Sequence, residues 1–368
     1  MIFIKKYKRK IRSWIFKKQF IKQNFEKSKR LIIFFVPNEV DEVSGGILSI
    51  CTIFVQVKIL KNIHNCTVIA SFLPKAKVID HTYSKFENDM VVFDFQTIEN
   101  YFNELDFLEI QIPEYMTTNF QIGNRKMNSF FSWIKNIKTI KINILNQNDL
   151  LMRKLNVLEN LKQITPNISM TVAHEKYANI ETRNFYGVPL HLFLPWTSLK
   201  PYEKKAYELK ENIIIISPDD IDRVPSNTKV KKEEILAKMK SELPDYEFIT
   251  IRNLSFDDYK KIISRAKFTL TFGEGMDGYF CESILSGSIS FAVYNTIFFT
   301  PNFKNLPTVY DSFDTLLDKI VLDIKHYDHT VAYKNYQQDL FMIINNIYSF
   351  DRFQNKISDY YLGKIDFN

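Results

Sequence analysis

Short apolar runs alternate with longer amphipathic stretches along the chain, and this rhythm predicts an α/β protein. LIIFFV at 31–36 is an unbroken apolar run closed by Pro37. Runs of this kind suit strands buried on both faces of a parallel sheet. CTVIAS (66–71), MVVFDF (90–95), FLEIQI (107–112) and TIKINIL (139–145) predict further strands, and ISMTVAHE (168–175) and VPLHLFLP (188–195) close the series. Helical spacing occupies 47–62, 96–104, 124–138 and 149–163. WTSLKPYEKKAYELK at 196–210 is polar and carries Pro201, which predicts a connection between domains.

The rhythm then restarts. NIIIIS (212–217), YEFITI (246–251), KFTLTF (267–272) and SISFAVYN (288–295) predict a second set of strands. Helices are expected at 230–243, 255–266 and 311–324, with Ser255 as the N-cap of the second and Asp257 and Asp258 in its first turn. The tail, 331–362, has mostly helical spacing. Two successive β/α series within 368 residues predict two domains facing one another across a cleft.

Charge adds a third part. The net charge is +7, but residues 1–30 hold twelve Lys or Arg against the single acid Glu26, leaving the remainder about −4. In that segment Ile4, Tyr7, Ile11, Trp14, Ile15 and Phe20 recur at helical steps between the basic residues. A basic amphipathic helix of this type suits an anionic membrane surface. A solvated helix packed on the body by its aromatic stripe is the alternative. The mildly acidic body argues against a nucleic-acid track. No run of eighteen uncharged apolar residues is present, so no transmembrane helix is expected, and lysines interrupt the N-terminus too often for a secretory signal. Cys51, Cys66 and Cys281 form no C-x-x-C pair, which points to a reduced, cytosolic setting.

Four of the nine glycines lie in TFGEGMDGYFCESILSGS, residues 271–288. Gly273, Gly275 and Gly278 allow a sharp turn after the strand at 267–272, and a helix from about Tyr279 to Ser286 follows. Turns at strand C-termini are where open α/β sheets bind ligands. A helix start there offers free N–H groups suited to phosphate. Glu274 and Glu282 flank this tip, and carboxylates are good acceptors for sugar hydroxyls.

The stretch EGMDGYFCE resembles the E-x7-E motif of retaining GT-B glycosyltransferases of the family 4 type, and SILSGSISFAVYN resembles the helix-Gly-strand that follows it. PNEVDEVSGGILSI is similar to their Gly-Gly loop after the first strand, with Gly45 and Gly46 at the matching positions. The resemblance implies a GT-B architecture of two Rossmann-like domains: an N-terminal acceptor-side domain at 31–198, a C-terminal nucleotide-sugar-binding domain at 199–330, and a helical segment at 331–368 packing back toward the first domain. It implies that Glu282 holds the ribose, Glu274 approaches the donor sugar, and the amides at Gly278, Tyr279 and Phe280, with Gly275 in the turn, meet the diphosphate. The Arg and Lys that neutralise the diphosphate in the family follow the first strand of the second domain. Here that strand leads into SPDDIDRVPSNTKVKKEE at a different spacing, with Arg223, and Lys229 or Lys231, as substitutes.

Other residues carry weaker signals. His174, at the end of the 168–175 strand, is a candidate catalytic or sugar-binding residue at the cleft edge, or a structural histidine; Glu175 lies beside it. Asp220-Ile221-Asp222 is a D-x-D, the metal-diphosphate motif of another transferase fold, but it falls too late in the chain and after a complete first domain. His326 and His329 stand alone, and Thr271, Cys281 and Ser283 lack a His/Asp partner for nucleophilic chemistry. The expectation is therefore a metal-independent transferase with no cofactor beyond its nucleotide-sugar substrate. Its acceptor would be a glycan or lipid-linked, at the inner face of the cytoplasmic membrane, in bacterial surface polysaccharide or lipopolysaccharide assembly. A sugar-nucleotide epimerase, a phosphorylase-like enzyme or a non-catalytic nucleotide-sugar-binding subunit of the same fold are the alternatives.

Overall fold

The computed structural model describes residues 18, 21, 25, 28–37, 45–76, 90–148, 152, 156–221, 228–252 and 254–368. Most of the basic segment 1–30 lies outside these residues, as does Arg223.

The first sheet contains β1 Arg30–Phe35, β2 Thr67–Ser71, β3 Val92–Phe93, β4 Phe107–Pro113, β5 Thr139–Asn146, β6 Ile168–Val172 and β7 Leu190–Leu192. The second contains β8 Glu211–Ile216, β9 Glu247–Thr250, β10 Ala266–Leu270, β11 Ile289–Val293 and β12 Val309–Tyr310. Their orders are β3-β2-β1-β4-β5-β6-β7 and β12-β11-β10-β8-β9, and the pairings are parallel. Leu31 to Phe35 are wholly buried, and Ile213 to Ile216 nearly so, because helices cover both faces. Each such side chain contributes about 1.5–3 kcal/mol of burial. Strand order reverses between β1 and β4 in the first sheet and between β8 and β10 in the second. Crevices for ligands form at the strand C-termini beside such reversals.

Local chemistry adjusts several expected boundaries. The strand expected at 90–95 shrinks to Val92–Phe93 because Asp94 caps the next helix, Phe95–Tyr101, accepting from Thr97 N at 3.0 Å. The helix expected at 124–138 divides into a 3₁₀ turn, Arg125–Met127, and a helix, Asn128–Ile134. Of 149–163, the described helix is Asn156–Lys162. The tail breaks at Tyr348 and Ser349, where the Ser349 hydroxyl accepts from Arg352 N and starts a second helix. Helix Ile180–Tyr186, capped by Asn179 and ended by Gly187, and strand β12 were not expected. The Ser255 cap is present, accepting from Asp258 N at 3.2 Å.

The polar connection at 196–210 is anchored at its start. Trp196, Thr197 and Ser198 are buried, and the Trp196 ring lies 5.1 Å from the rings of both Tyr202 and Tyr348. The Tyr348 hydroxyl donates to Pro195 O at 2.8 Å, so the two chain crossings between the domains are joined. Beyond them, helix Phe350–Tyr361 packs on helix Gly45–Ile59, with Gln354 donating to Gln56 at 3.1 Å. Phe367 pairs with Leu190 of β7. No helix among the described residues is long and apolar enough to cross a membrane.

Candidate functional site

The C-terminal ends of β8, β10 and β11 face those of β5 and β6. From the second domain, Asn295 holds the turn after β10 by donating to Glu274 O at 2.7 Å, while Thr271 Oγ1 donates to Gly275 O at 3.0 Å. Gly275 adopts φ +75°, and a Cβ there would stand 2.6 Å from the Phe299 ring, so this turn needs glycine. The fixed turn sends the half-buried Glu274 side chain toward the first domain, where Asn148 Nδ2 lies 3.5 Å from its Oε1. Asn148 is held in turn by Glu114, which follows β4 and accepts from Gln147 N at 3.1 Å. The crevice is closed alongside by Lys176 and Tyr177, which donate to Ile297 O at 3.1 and 2.9 Å. His174 sits at that seam, its ring 5.7 Å from Phe298.

The other expected residues divide between crevice and interior. Gly45 and Gly46 open the helix after β1, rather than preceding it, and a Cβ on Gly46 would lie 3.9 Å from that of Gln147. Both side-chain polar atoms of Gln147 are buried without a hydrogen-bond partner. Tyr279 is half-buried, edge-on to Tyr259 at 5.7 Å. Glu282 is 2% exposed. Its carboxylate folds back over the first turn, within 3.0 Å of a Cβ built on Gly278. Thr197 of the connection donates to its Oε1 at 2.5 Å. Glu175 pairs in bidentate fashion with Arg352, at 2.6 and 2.9 Å, and serves the docking of the last helix.

The helix tip differs from expectation in one respect. Asp277 is the N-cap of helix Gly278–Leu285 and accepts the Phe280 N–H at 3.0 Å. The Phe280 amide is therefore engaged by the protein itself. Burial pushes the Asp277 carboxyl up; the Phe280 N–H opposes this, and Glu274, Asp219 and Glu282 add to it. Lys232 donates to Ser217 O at 2.8 Å and Asp219 O at 2.5 Å beneath the end of β8. Lys229 and Lys231 are exposed. Among the described residues no group of three His, Cys, Asp or Glu is placed to hold a metal ion. Asn148, Gln147, Asp277 and Lys232 escaped the sequence reading. Only Asp277, an Asp directly before a helix start, carried a local signal.

Three buried acids make stability pH-dependent. Burial pushes Glu114, Glu282 and Glu109 up to about 7. A carboxyl raised in the folded state binds a proton there that the unfolded chain has already lost between about pH 4.5 and 7. Its stabilisation is present below that window and is lost as pH rises through it. The unfolding free energy from urea melts should therefore fall between pH 5 and 7.5, by about 1–3 kcal/mol for each acid, offset in part by His64 and His191, whose burial-lowered values act in the opposite sense. Glu282→Gln should flatten that fall, whereas a midpoint rising over this range contradicts the assignment.

Neither a protein-family model nor a curated relative matches the sequence. Solved structures do match in shape. HepE from Anabaena, in complex with UDP and glucose, superposes with a TM-score of 0.55 at 8% identity, covering 91% of this chain and 100% of that one. Sucrose-phosphate synthase from Thermosynechococcus elongatus gives 0.54 at 6% identity, over 91% and 98%. The complex of HepE with UDP-glucose gives 0.51 at 9% identity, over 90% and 99%. With its two parallel sheets and facing strand ends, the chain has the GT-B fold of these glycosyltransferases.

Proposed function

We propose that the protein is a glycosyltransferase that moves a sugar from a nucleoside-diphosphate donor to a glycan or lipid-linked acceptor, with retention of configuration and without a metal. The observation that carries this reading is the placement of Glu274. It stands at the β8/β10 reversal, one turn from a helix tip, and reaches Asn148 of the opposite domain. In this reading the donor sugar lies between Glu274 and Asn148, with His174 at the edge. The diphosphate meets the Gly278 and Tyr279 amides, where a helix dipole favours negative charge. Lowering the barrier then rests on stabilising the departing diphosphate and on orienting the acceptor hydroxyl. The basic segment 1–30 would hold the enzyme at anionic lipid, each Lys or Arg near the surface contributing roughly 1 kcal/mol. That location suits assembly of a bacterial surface polysaccharide or lipopolysaccharide.

Thr197, Tyr202 and Tyr259 already surround the Glu282 carboxylate, so it enters as ribose ligand by exchanging part of this set. That feature, with Asp277 already capping the helix tip, favours a second reading in which the chain binds a nucleotide sugar without turning it over. A thermal-shift screen against UDP-, GDP-, dTDP- and CMP-linked sugars tests both. One donor at a hundred times its dissociation constant should add about 2.7 kcal/mol of stability. Glycan-dependent release of the nucleotide supports transfer, whereas binding without release supports the second reading. No shift with any of the four groups contradicts both.

A further inference from the structure

Parallel strands covered on both faces are ordinarily apolar on both. One face of β4 to β7 breaks this rule. Glu109 pairs with Lys141, Gln111 with Asn143, Asn143 with Ser169, and Thr171 with His191, so these polar side chains share a face. Most are fully buried, and buried polar groups need a reason. Part of the reason is a hydrogen-bond network. Gln111 donates to Glu109 at 2.6 Å, Asn143 to Gln111 at 2.7 Å, and Ser169 to Asn143 at 3.0 Å. Tyr360 and Tyr361 of the last helix cap it, at 2.9 Å from Ser169 and 3.3 Å from Gln111.

The network forms one wall of a cavity of about 380 Å³, lined among others by Arg30, Glu109, Lys141, Ser169, Tyr360 and Tyr361. Arg30, Phe107 and Lys141 lie at the N-terminal ends of β1, β4 and β5, the edge of the sheet opposite the crevice. A strand of seven residues puts these two edges about 20 Å apart. Arg30 stacks over the Phe107 ring at 4.2 Å, and Lys141 approaches the same ring at 5.8 Å. Both cations face the cavity, and both lie in electrostatic reach of the Glu109 carboxyl that lines it with them. Two cations against one carboxyl, beside hydroxyl and amide groups, suit an anion that also carries hydroxyls. The volume lies in the range of small-molecule sites.

We infer that this cavity is a second binding site, separate from the inter-domain crevice, for a small hydroxylated phosphate monoester, with the phosphate between Arg30 and Lys141 and the hydroxyls toward Ser169, Tyr360 and Tyr361. The site joins the first sheet to the last helix, so its occupant ties the C-terminal segment to the first domain.

Calorimetric titration of the full chain with glucose 6-phosphate tests this, with glucose as the neutral probe. Saturable binding is expected, and glucose should bind at least about tenfold more weakly, the loss of one charge-assisted contact set. Lys141→Gln, at an exposed position, and Arg30→Gln should each raise the Kd about tenfold or more. Glu274→Gln, in the crevice, should leave it unchanged. The absence of saturable binding overturns the inference, as does binding that survives both cavity substitutions or is lost in Glu274→Gln. Because neither probe carries a nucleotide, the outcome is independent of the transferase reading.

Discussion

Glu274→Gln should lower kcat/KM for sugar transfer by about ten- to 150-fold, the loss of one charge-assisted contact worth roughly 1.5–3 kcal/mol. The carboxylate is half-buried at the crevice, and its side-chain contact to the first domain is a long 3.5 Å bond from Asn148. The turn that carries it is held by backbone groups, namely Glu274 O with Asn295 and Gly275 O with Thr271. Folding should therefore survive the substitution, and the unfolding free energy should stay within about 0.5 kcal/mol of the parent. Steady-state release of nucleotide in the presence of acceptor, with a matched unfolding curve, separates the two effects. Unchanged turnover would remove Glu274 from the site.

The largest effect on stability is expected at a glycine away from the crevice. Gly287, at φ +94°, follows helix Gly278–Leu285, and a Cβ there would stand 2.3 Å from Lys205 O. The carbonyl belongs to the connection between domains, whose Lys205 N donates to Ser286 O at 3.1 Å. Two costs therefore add in Gly287→Ala: a left-handed backbone with a side chain, and a clash against main chain that cannot rotate aside. Destabilisation on the order of 3–5 kcal/mol is expected from urea unfolding, among the large values for point substitutions. A loss below about 1 kcal/mol would show that the connection is not gripped as described.

Both sheets were legible in the sequence because their strands are buried on both faces and read as apolar runs. Ile213 to Ile216 and Leu31 to Phe35 could hardly be anything else. The turn with its two glutamates was legible because glycine is scarce elsewhere in the chain. What escaped depends on contacts between distant segments. Asn148 meets Glu274 across 126 positions, and Thr197 meets Glu282 across 85. No spacing rule encodes such pairs. Lys232 was not singled out, yet it is buried under β8, where its ammonium satisfies two carbonyls. The polar face of the first sheet was missed: FLEIQI and TIKINIL were read only as strands, although their alternation carries it.

Hydrogen exchange on the full chain, with and without the nucleotide sugar that raises its melting temperature most, tests the central claim most directly. If the donor lies between the two sheets, protection should appear together at 143–148 in the first domain and at 217–220 and 271–281 in the second. Protection confined to one domain, or to the opposite edge of the first sheet around Arg30 and Lys141, would contradict it.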